Sequence, residues 1–120
     1  MEIFATILRF VFAAFFAYAG IMHFVKPKFF YPFIPKPFPK EPSNYGTGVI
    51  ELVLGIGLLF PNYIQEAALG IIILLILLLP IHIWDLTQKK PAIGSKKLAI
   101  IRIPIQFLLI YFAYLIYQHS

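Results

Sequence analysis

The chain has 120 residues, of which 61% are hydrophobic and only 12% are charged. A soluble domain carries about 25% charged residues, so this composition and a mean hydropathy of +0.87 exclude a soluble domain and indicate one integral membrane domain over residues 1–120. The absence of cysteine excludes a disulfide, and the net charge of +5 does not indicate nucleic-acid binding, because the lysines lie in two short loops beside apolar segments.

Four apolar segments are candidates to cross a bilayer core of about 30 Å as helices. They cover approximately residues 3–25, 45–60, 67–84 and 98–117, and the second is the shortest. The expected fold is therefore an all-α membrane protein, with four transmembrane helices in an up-down bundle. We expect the first segment to remain in the protein, because the residues before it, "MEIF", lack the positive charge of a signal peptide.

The loop between the first two segments, "KPKFFYPFIPKPFPKEP", combines prolines with aromatic residues. Proline interrupts a regular helix and favours an extended conformation in the residue before it, and phenylalanine is poorly accommodated in water. We expect this loop to fold back onto the membrane surface or into the mouth of the bundle. Two interpretations remain open, an aromatic anchor at the interface and a lid over a pocket.

Small residues predict a close contact between the first two helices, because they let membrane helices approach each other. They share one face of each segment, and their positions are Ala13, Ala17 and Gly20 in the first and Gly48 and Gly55, with Gly57 nearby, in the second. Glu51 lies between Gly48 and Gly55 on the same helical face. The pattern therefore predicts that Glu51 points into the bundle.

Lysines mark the loops at one end of the predicted bundle. They are Lys26, Lys28, Lys36 and Lys40 in the loop after the first segment, and Lys89, Lys90, Lys96 and Lys97 in the loop after the third. The turn between the second and third segments, "PNYIQE", has no lysine or arginine. The positive-inside rule predicts that both lysine loops are cytoplasmic and that both termini lie on the outer side. Anionic lipids are the expected contacts of these loops.

Polar side chains of all four segments lie near the same end of the predicted bundle. The candidates for a pocket are His23, Glu51, His82, Arg102 and Gln106. In an up-down bundle these positions converge in one leaflet. A charge in hydrocarbon costs about 2.5–3.5 kcal/mol, so such groups persist when they are paired or line a cavity. We predict an ion pair between Glu51 and Arg102.

The other polar residues receive simpler interpretations. Asp85 is predicted to lie at the membrane interface, and Arg9, near the opposite end, is expected to reach the headgroups or to pair with Glu66. Pro80 and Pro104 lie within the third and fourth segments, where each frees one backbone carbonyl. Freed carbonyls at membrane depth need partners, which favours a small pocket over a solid bundle.

Three motifs, taken together and in this order, resemble those of the DoxX-like family of small four-helix bacterial membrane proteins. They are G-x-x-H-F-x-x-P-x-F within positions 20–30, S/T-G-x-x-E at positions 47–51 and R-x-P-x-Q at positions 102–106. A further stretch, "LLPIHIWD", departs from the pattern, because many relatives carry P-x-N where this chain has Pro80 and His82. The departure argues against a role that requires an imidazole at position 82.

The resemblance implies a redox-associated protein of the bacterial inner membrane, an accessory subunit beside a redox-enzyme partner. The pocket would then hold a quinone-like or lipid-like molecule. In that arrangement His23 or His82 would donate a hydrogen bond to a quinone carbonyl, and Glu51 would transfer the proton. The resemblance does not settle whether the protein is an enzyme.

Other functions remain open from the sequence alone. A small-molecule transporter would use Glu51 and the histidines as a protonation switch, and a chain of this length would act as a homo-oligomer. A structural bundle with a buried ion pair is the simplest alternative. A haem held by His23 and His82 is disfavoured, because relatives lack the second histidine, and no metal site is predicted.

Overall fold

The computed structural model describes residues 2–120, and these residues are helical with no β-strand among them. Four long helices and one short helix follow each other along the chain: α1 (Glu2–Val25), α2 (Pro27–Phe30), α3 (Lys40–Gly57), α4 (Ile64–Leu86) and α5 (Lys96–Gln118). Two 3₁₀ turns lie between them, at Tyr31–Phe33 and Pro61–Tyr63.

Three helical segments are long and apolar enough to cross a membrane, namely Glu2–Val25, Pro61–Leu86 and Lys96–Gln118. The predicted all-α membrane architecture is confirmed at this level. Helix α3 differs from the other three, because it has 18 residues and begins with the polar sequence "KEPSN".

The sequence predicts a second helix over residues 45–60, whereas α3 covers Lys40–Gly57. The helix begins earlier because Pro39 is extended, with φ of −64° and ψ of 131°, and the polar residues after it already form the first turn. It ends earlier because Pro61 restricts the residue before it, and Phe60 is extended with φ of −100° and ψ of 116°.

Helices α1 and α3 form one antiparallel hairpin and α4 and α5 form another, and the hairpins meet where α3 packs on α4 and α1 packs on α5. The first hairpin is tight because its small residues face each other. A Cβ atom added to Gly20 would lie 2.7 Å from the Gly48 carbonyl oxygen, and one added to Gly55 would lie 2.7 Å from the Ala17 nitrogen. The predicted contact between these faces is confirmed.

Buried residues divide the bundle along its axis. The half beside the turn Pro61–Tyr63, here called the apolar half, contains a core of Leu8, Phe12, Ala13, Phe16, Leu58, Ile64, Ala67, Ala68, Ile71, Leu75, Ala113, Leu115 and Ile116. The half beside the two lysine loops, here called the polar half, contains the buried polar residues His23, Asn44, Glu51, Asp85 and Gln106. Polar burial is therefore concentrated at one end of the molecule.

Pro80 and Pro104 lie inside α4 and α5, which continue through them. Pro80 cannot donate a hydrogen bond to the carbonyl of Ile76. The neighbouring carbonyl, that of Leu75, accepts a hydrogen bond of 2.8 Å from Nε2 of Gln106. A side chain of α5 thus joins the backbone of α4 close to the proline.

Candidate functional site

A cavity of about 390 Å³ lies in the polar half, between the helices and residues 26–39, here called the aromatic loop. The wall is mainly apolar, and the aromatic loop contributes Phe29, Phe30, Phe33, Ile34, Pro35 and Phe38. Four of the five predicted pocket residues also line it, namely His23, Glu51, His82 and Arg102. The topology therefore brings these four residues together.

Gln106, the fifth predicted residue, does not line the cavity. Its side chain is buried and donates to the Leu75 carbonyl instead. Arg102 and Gln106 are four residues apart on α5, but Gln106 lies one turn deeper, where α4 and α5 are in contact. Gln106 therefore connects α5 to α4 and does not belong to the cavity wall.

His23, Asn44 and Glu51 form a connected group between α1 and α3. Nδ1 of His23 lies 2.6 Å from Oδ1 of Asn44, and Nδ2 of Asn44 donates a 2.8 Å hydrogen bond to the carbonyl of His23. Nε2 of His23 lies 2.8 Å from Oε1 of Glu51. Gly48 makes this possible, because a Cβ there would lie 2.7 Å from Cβ of His23. Both ring nitrogens of His23 thus face polar atoms of α3.

The contact between His23 and Glu51 is close, but its angles are not those of a hydrogen bond. Oε1 of Glu51 is buried and has no aligned donor among residues 2–120. An ionised carboxylate offers about four acceptor positions, so Glu51 retains capacity for a further hydrogen bond. The whole residue is only 8% exposed, as expected for a side chain that points into the bundle.

The second polar group joins α4 to α5. Nη2 of Arg102 donates to Oδ2 of Asp85 at 2.9 Å, and Oδ1 of Asp85 accepts a 2.7 Å hydrogen bond from the backbone nitrogen of Ala92. Asp85 is 1% exposed, so it is a buried partner of Arg102, and its position at the membrane interface stays a prediction. The loop after α4 folds back over the carboxylate and supplies backbone donors to it.

The prediction of an ion pair between Glu51 and Arg102 is wrong. Glu51 pairs with His23, and Arg102 pairs with Asp85. The reason is the order of helices around the bundle, since α3 and α5 lie diagonally while α4 and α5 are neighbours. Each charge is therefore paired within its own hairpin.

His82 lies on the cavity wall without a partner for Nδ1, which is buried. Nε of Arg102 is also buried and has no hydrogen-bond acceptor within residues 2–120. Together with Oε1 of Glu51, these are three unsatisfied polar atoms on side chains that line one cavity. Unsatisfied buried polar atoms are rare in native structures, and three of the four within residues 2–120 belong to side chains of this cavity wall.

The aromatic loop is held against the helices by three contacts. The ring of Phe30 stacks on His23 with centroids 3.8 Å apart and planes inclined by 19°. The guanidinium of Arg102 lies 5.8 Å from the Phe33 ring centroid, and Nζ of Lys40 donates to the carbonyl of Ile34. These contacts hold the aromatic loop beside the cavity, and both interpretations of it, an aromatic anchor and a lid, stay predictions.

Arg9 lies away from this cavity. Its guanidinium carbon is 4.4 Å from the centroid of the Phe10 ring, and the expected pair with Glu66 is not among the ion pairs formed within residues 2–120. Within the same range, no group of three or more histidine and carboxylate side chains is placed to hold a metal ion.

A comparison with protein families gave one match, to a family described as "Domain of unknown function (DUF8561)", over residues 12–117. The chain belongs to this family. Neither the curated proteins nor the solved structures compared with the chain gave a significant match. The match to DUF8561 includes every cavity residue named above, so the cavity lies within the family domain.

Two residues of this DUF8561 domain were missed at the level of sequence. The apolar pattern places Asn44 outside the second segment and Asp85 at the interface. For Asn44 a signal exists, because positions 44, 48, 51 and 55 follow the spacing of one helical face. For Asp85 the deciding partners are backbone nitrogens of a loop, which leave no pattern in the sequence.

Proposed function

We propose that this protein is a redox-associated accessory subunit of the bacterial inner membrane, and that its polar half binds a quinone-like or lipid-like small molecule. The observation that carries the proposal is the cavity of about 390 Å³, whose wall combines aromatic rings with the polar side chains of Glu51, His82 and Arg102. Ligand pockets of proteins measure about 300–1,000 Å³ and combine apolar walls with a few convergent polar groups.

The proposal includes a fourth span, α3. Its polar side chains Asn44 and Glu51 face inward, while Val49, Val53 and Ile56 are exposed on the outside. A helix with this division can lie against lipid on one side although its average hydropathy is low. The positive-inside rule then places both lysine loops, and the cavity beside them, on the cytoplasmic side.

The shape of the cavity suits an amphipathic molecule. Phenylalanine rings line the cavity and suit a flat or branched apolar body, and the side chains of Glu51, His82 and Arg102 line the same cavity. Buried polar groups require hydrogen-bond partners, so they would orient the polar end of the ligand. The redox association and the partner enzyme are expected from the resemblance to the DoxX-like family. This part of the proposal does not depend on the cavity.

A cavity-filling substitution tests the binding function. Ala19 lines the cavity, whereas Ala14, on the same helix, is exposed on the outer face. Ala19→Phe places a ring in the cavity, and Ala14→Phe makes the same change toward lipid. Both proteins would be purified in mild detergent, and their organic extracts compared with those of the wild type by mass spectrometry.

We expect a quinone, quinol or other neutral lipid in the wild type and in Ala14→Phe, and its loss from Ala19→Phe. Thermal unfolding of the three proteins distinguishes loss of the ligand from loss of the fold. Equal amounts of the same lipids in all three folded proteins would contradict the proposal, because bulk lipid retained on the outer surface does not depend on the cavity.

A further inference from the structure

The charges around the cavity are already balanced. Glu51 lies against His23 and Asp85 against Arg102, so each acidic side chain on the wall has a basic partner. A ligand that carries a net charge would leave that charge unpaired in a poorly solvated space, which is costly. This arrangement favours a neutral ligand over a fatty acid, a phospholipid headgroup or an amine.

The polar side chains on the wall specify which neutral group fits. The carboxylate of Glu51 lies 2.8 Å from His23 and offers further acceptor positions, while the guanidinium of Arg102 donates. The ring of His82 serves either role, depending on its tautomer. A hydroxyl group both donates and accepts, whereas a carbonyl or an ether only accepts and cannot donate to Glu51.

The wall beside these atoms consists of aromatic rings, and His23 itself is stacked on Phe30. Aromatic rings pack on one another in offset or edge-to-face geometry and gain more than simple burial provides. A ring that carries the hydroxyl therefore fits this wall better than a flexible alkyl alcohol does.

We propose that the cavity selects an uncharged aromatic molecule by a phenol-type hydroxyl, which donates to Glu51 and accepts a hydrogen bond from Arg102 or His82. This inference rests on the proposed function and narrows it to one chemical class. Among quinone-like molecules it assigns the tighter binding to the reduced form, because the reduced form carries the donor.

Three probes of similar size separate the classes: 4-hexylphenol, 4-hexylanisole and 4-hexylbenzoate. They share a hexyl-substituted ring and offer a hydroxyl donor, a methyl ether without a donor, and an anion. Binding to the full-length protein in lipid nanodiscs would be measured by calorimetry, and the heat of partition into empty nanodiscs would be subtracted. We expect the phenol to bind tighter than the anisole by about tenfold or more, as one hydrogen bond to a charged acceptor predicts.

Glu51→Met removes the acceptor at similar volume, and Glu66→Met is the matched control on the opposite end of the bundle. In Glu51→Met the preference for phenol over anisole should fall to within about threefold, while Glu66→Met should retain it. Because the ranking of probes is measured first in the wild type, the test does not depend on the folding of a variant.

The outcomes separate the two proposals. If the anisole or the benzoate binds the wild type as tightly as the phenol, the inference about the hydroxyl is wrong and binding in the cavity stands. If none of the three binds saturably, the proposed function itself fails together with the inference. A preference for phenol that persists in folded Glu51→Met would overturn the assignment of the hydroxyl to Glu51.

Discussion

The two halves of the bundle are stabilised differently, although both must fold in the same membrane. The apolar half is filled by side chains such as Phe12, Phe16 and Ile71, which are almost fully buried and pack without polar partners. The polar half depends on a few directed contacts, those of His23 and Asp85 above all, and it encloses the cavity. The comparison indicates that close apolar packing stabilises one end of the fold, while the other end contains a cavity.

The difference has an energetic consequence. In an apolar core the loss of stability grows with the number of atoms removed, because a lost methyl group removes only its own contacts. A buried ion pair behaves otherwise, since removal of one partner leaves the other charged and unsolvated. A single substitution of a charged partner in the polar half should therefore lower the free energy of unfolding by more than a substitution of similar size in the apolar half.

Removal of Asp85 should have the largest effect. Asp85→Ala leaves Arg102 without its partner and frees the backbone nitrogen of Ala92, so we expect a loss of about 3–5 kcal/mol in the free energy of unfolding. The measurement is an SDS titration of the protein in detergent. Glu66→Ala is the control, since Glu66 is exposed on the same helix, and it should change stability by less than about 0.5 kcal/mol.

The double variant Asp85→Ala with Arg102→Met sharpens this prediction. Because the buried charge is then absent, a large part of the lost stability should return. If Asp85→Ala alone has the same free energy of unfolding as the wild type, this ion pair does not stabilise the polar half. The proposed difference between the two halves would then be wrong.

A substitution at the α1–α3 contact should have an intermediate effect. In Gly20→Ala the new Cβ would lie 2.7 Å from both the Gly48 oxygen and the Leu52 nitrogen, which are backbone atoms that cannot move independently. Overpacking of this kind costs about 1–3 kcal/mol. Gly46→Ala, on α3, is the control, because a Cβ at that position would meet no atom within 4 Å beyond its own helical turn.

The same titration in detergent would compare these two glycine variants. Gly46 lies in α3, so alanine there should leave stability unchanged or raise it by up to about 1 kcal/mol through helix propensity. Equal stabilities of Gly20→Ala and Gly46→Ala would mean that α1 and α3 are not in close contact, and the small-residue interpretation would be wrong.

The sequence predicted the inner face of α3, because Gly48, Glu51 and Gly55 repeat at helical spacing and only one face can pack. It did not predict the partner of each charge. That depends on which helices are neighbours around the bundle, and hydrophobic periodicity places residues on a face without fixing the order of helices. The error for Glu51 and Arg102 has this origin.

Two further residues show a second limit. The apolar run predicts a helix that begins at residue 45 and excludes Asn44, whereas the first turn of α3 is polar. The burial of Asp85 cannot be predicted, because its backbone partners are in the loop after α4 and the path of a loop depends on tertiary contacts. The end of the bundle that holds the cavity could thus be predicted, but its hydrogen bonds could not.

The smallest predicted effect lies in the apolar half and completes the contrast. Ile71 is 0% exposed in the core, and Ile73, on the same helix, is 50% exposed toward the outside. Ile71→Val should lower the free energy of unfolding by about 0.5–1.5 kcal/mol, since one buried methylene is lost. Ile73→Val, which makes the same change at the surface, should alter stability by less than about 0.5 kcal/mol.

Neither variant should change the affinity for 4-hexylphenol, because neither residue lines the cavity. A loss of probe affinity in Ile71→Val, measured by the same calorimetry, would show instead that the two halves are coupled and that the apolar half helps to shape the cavity.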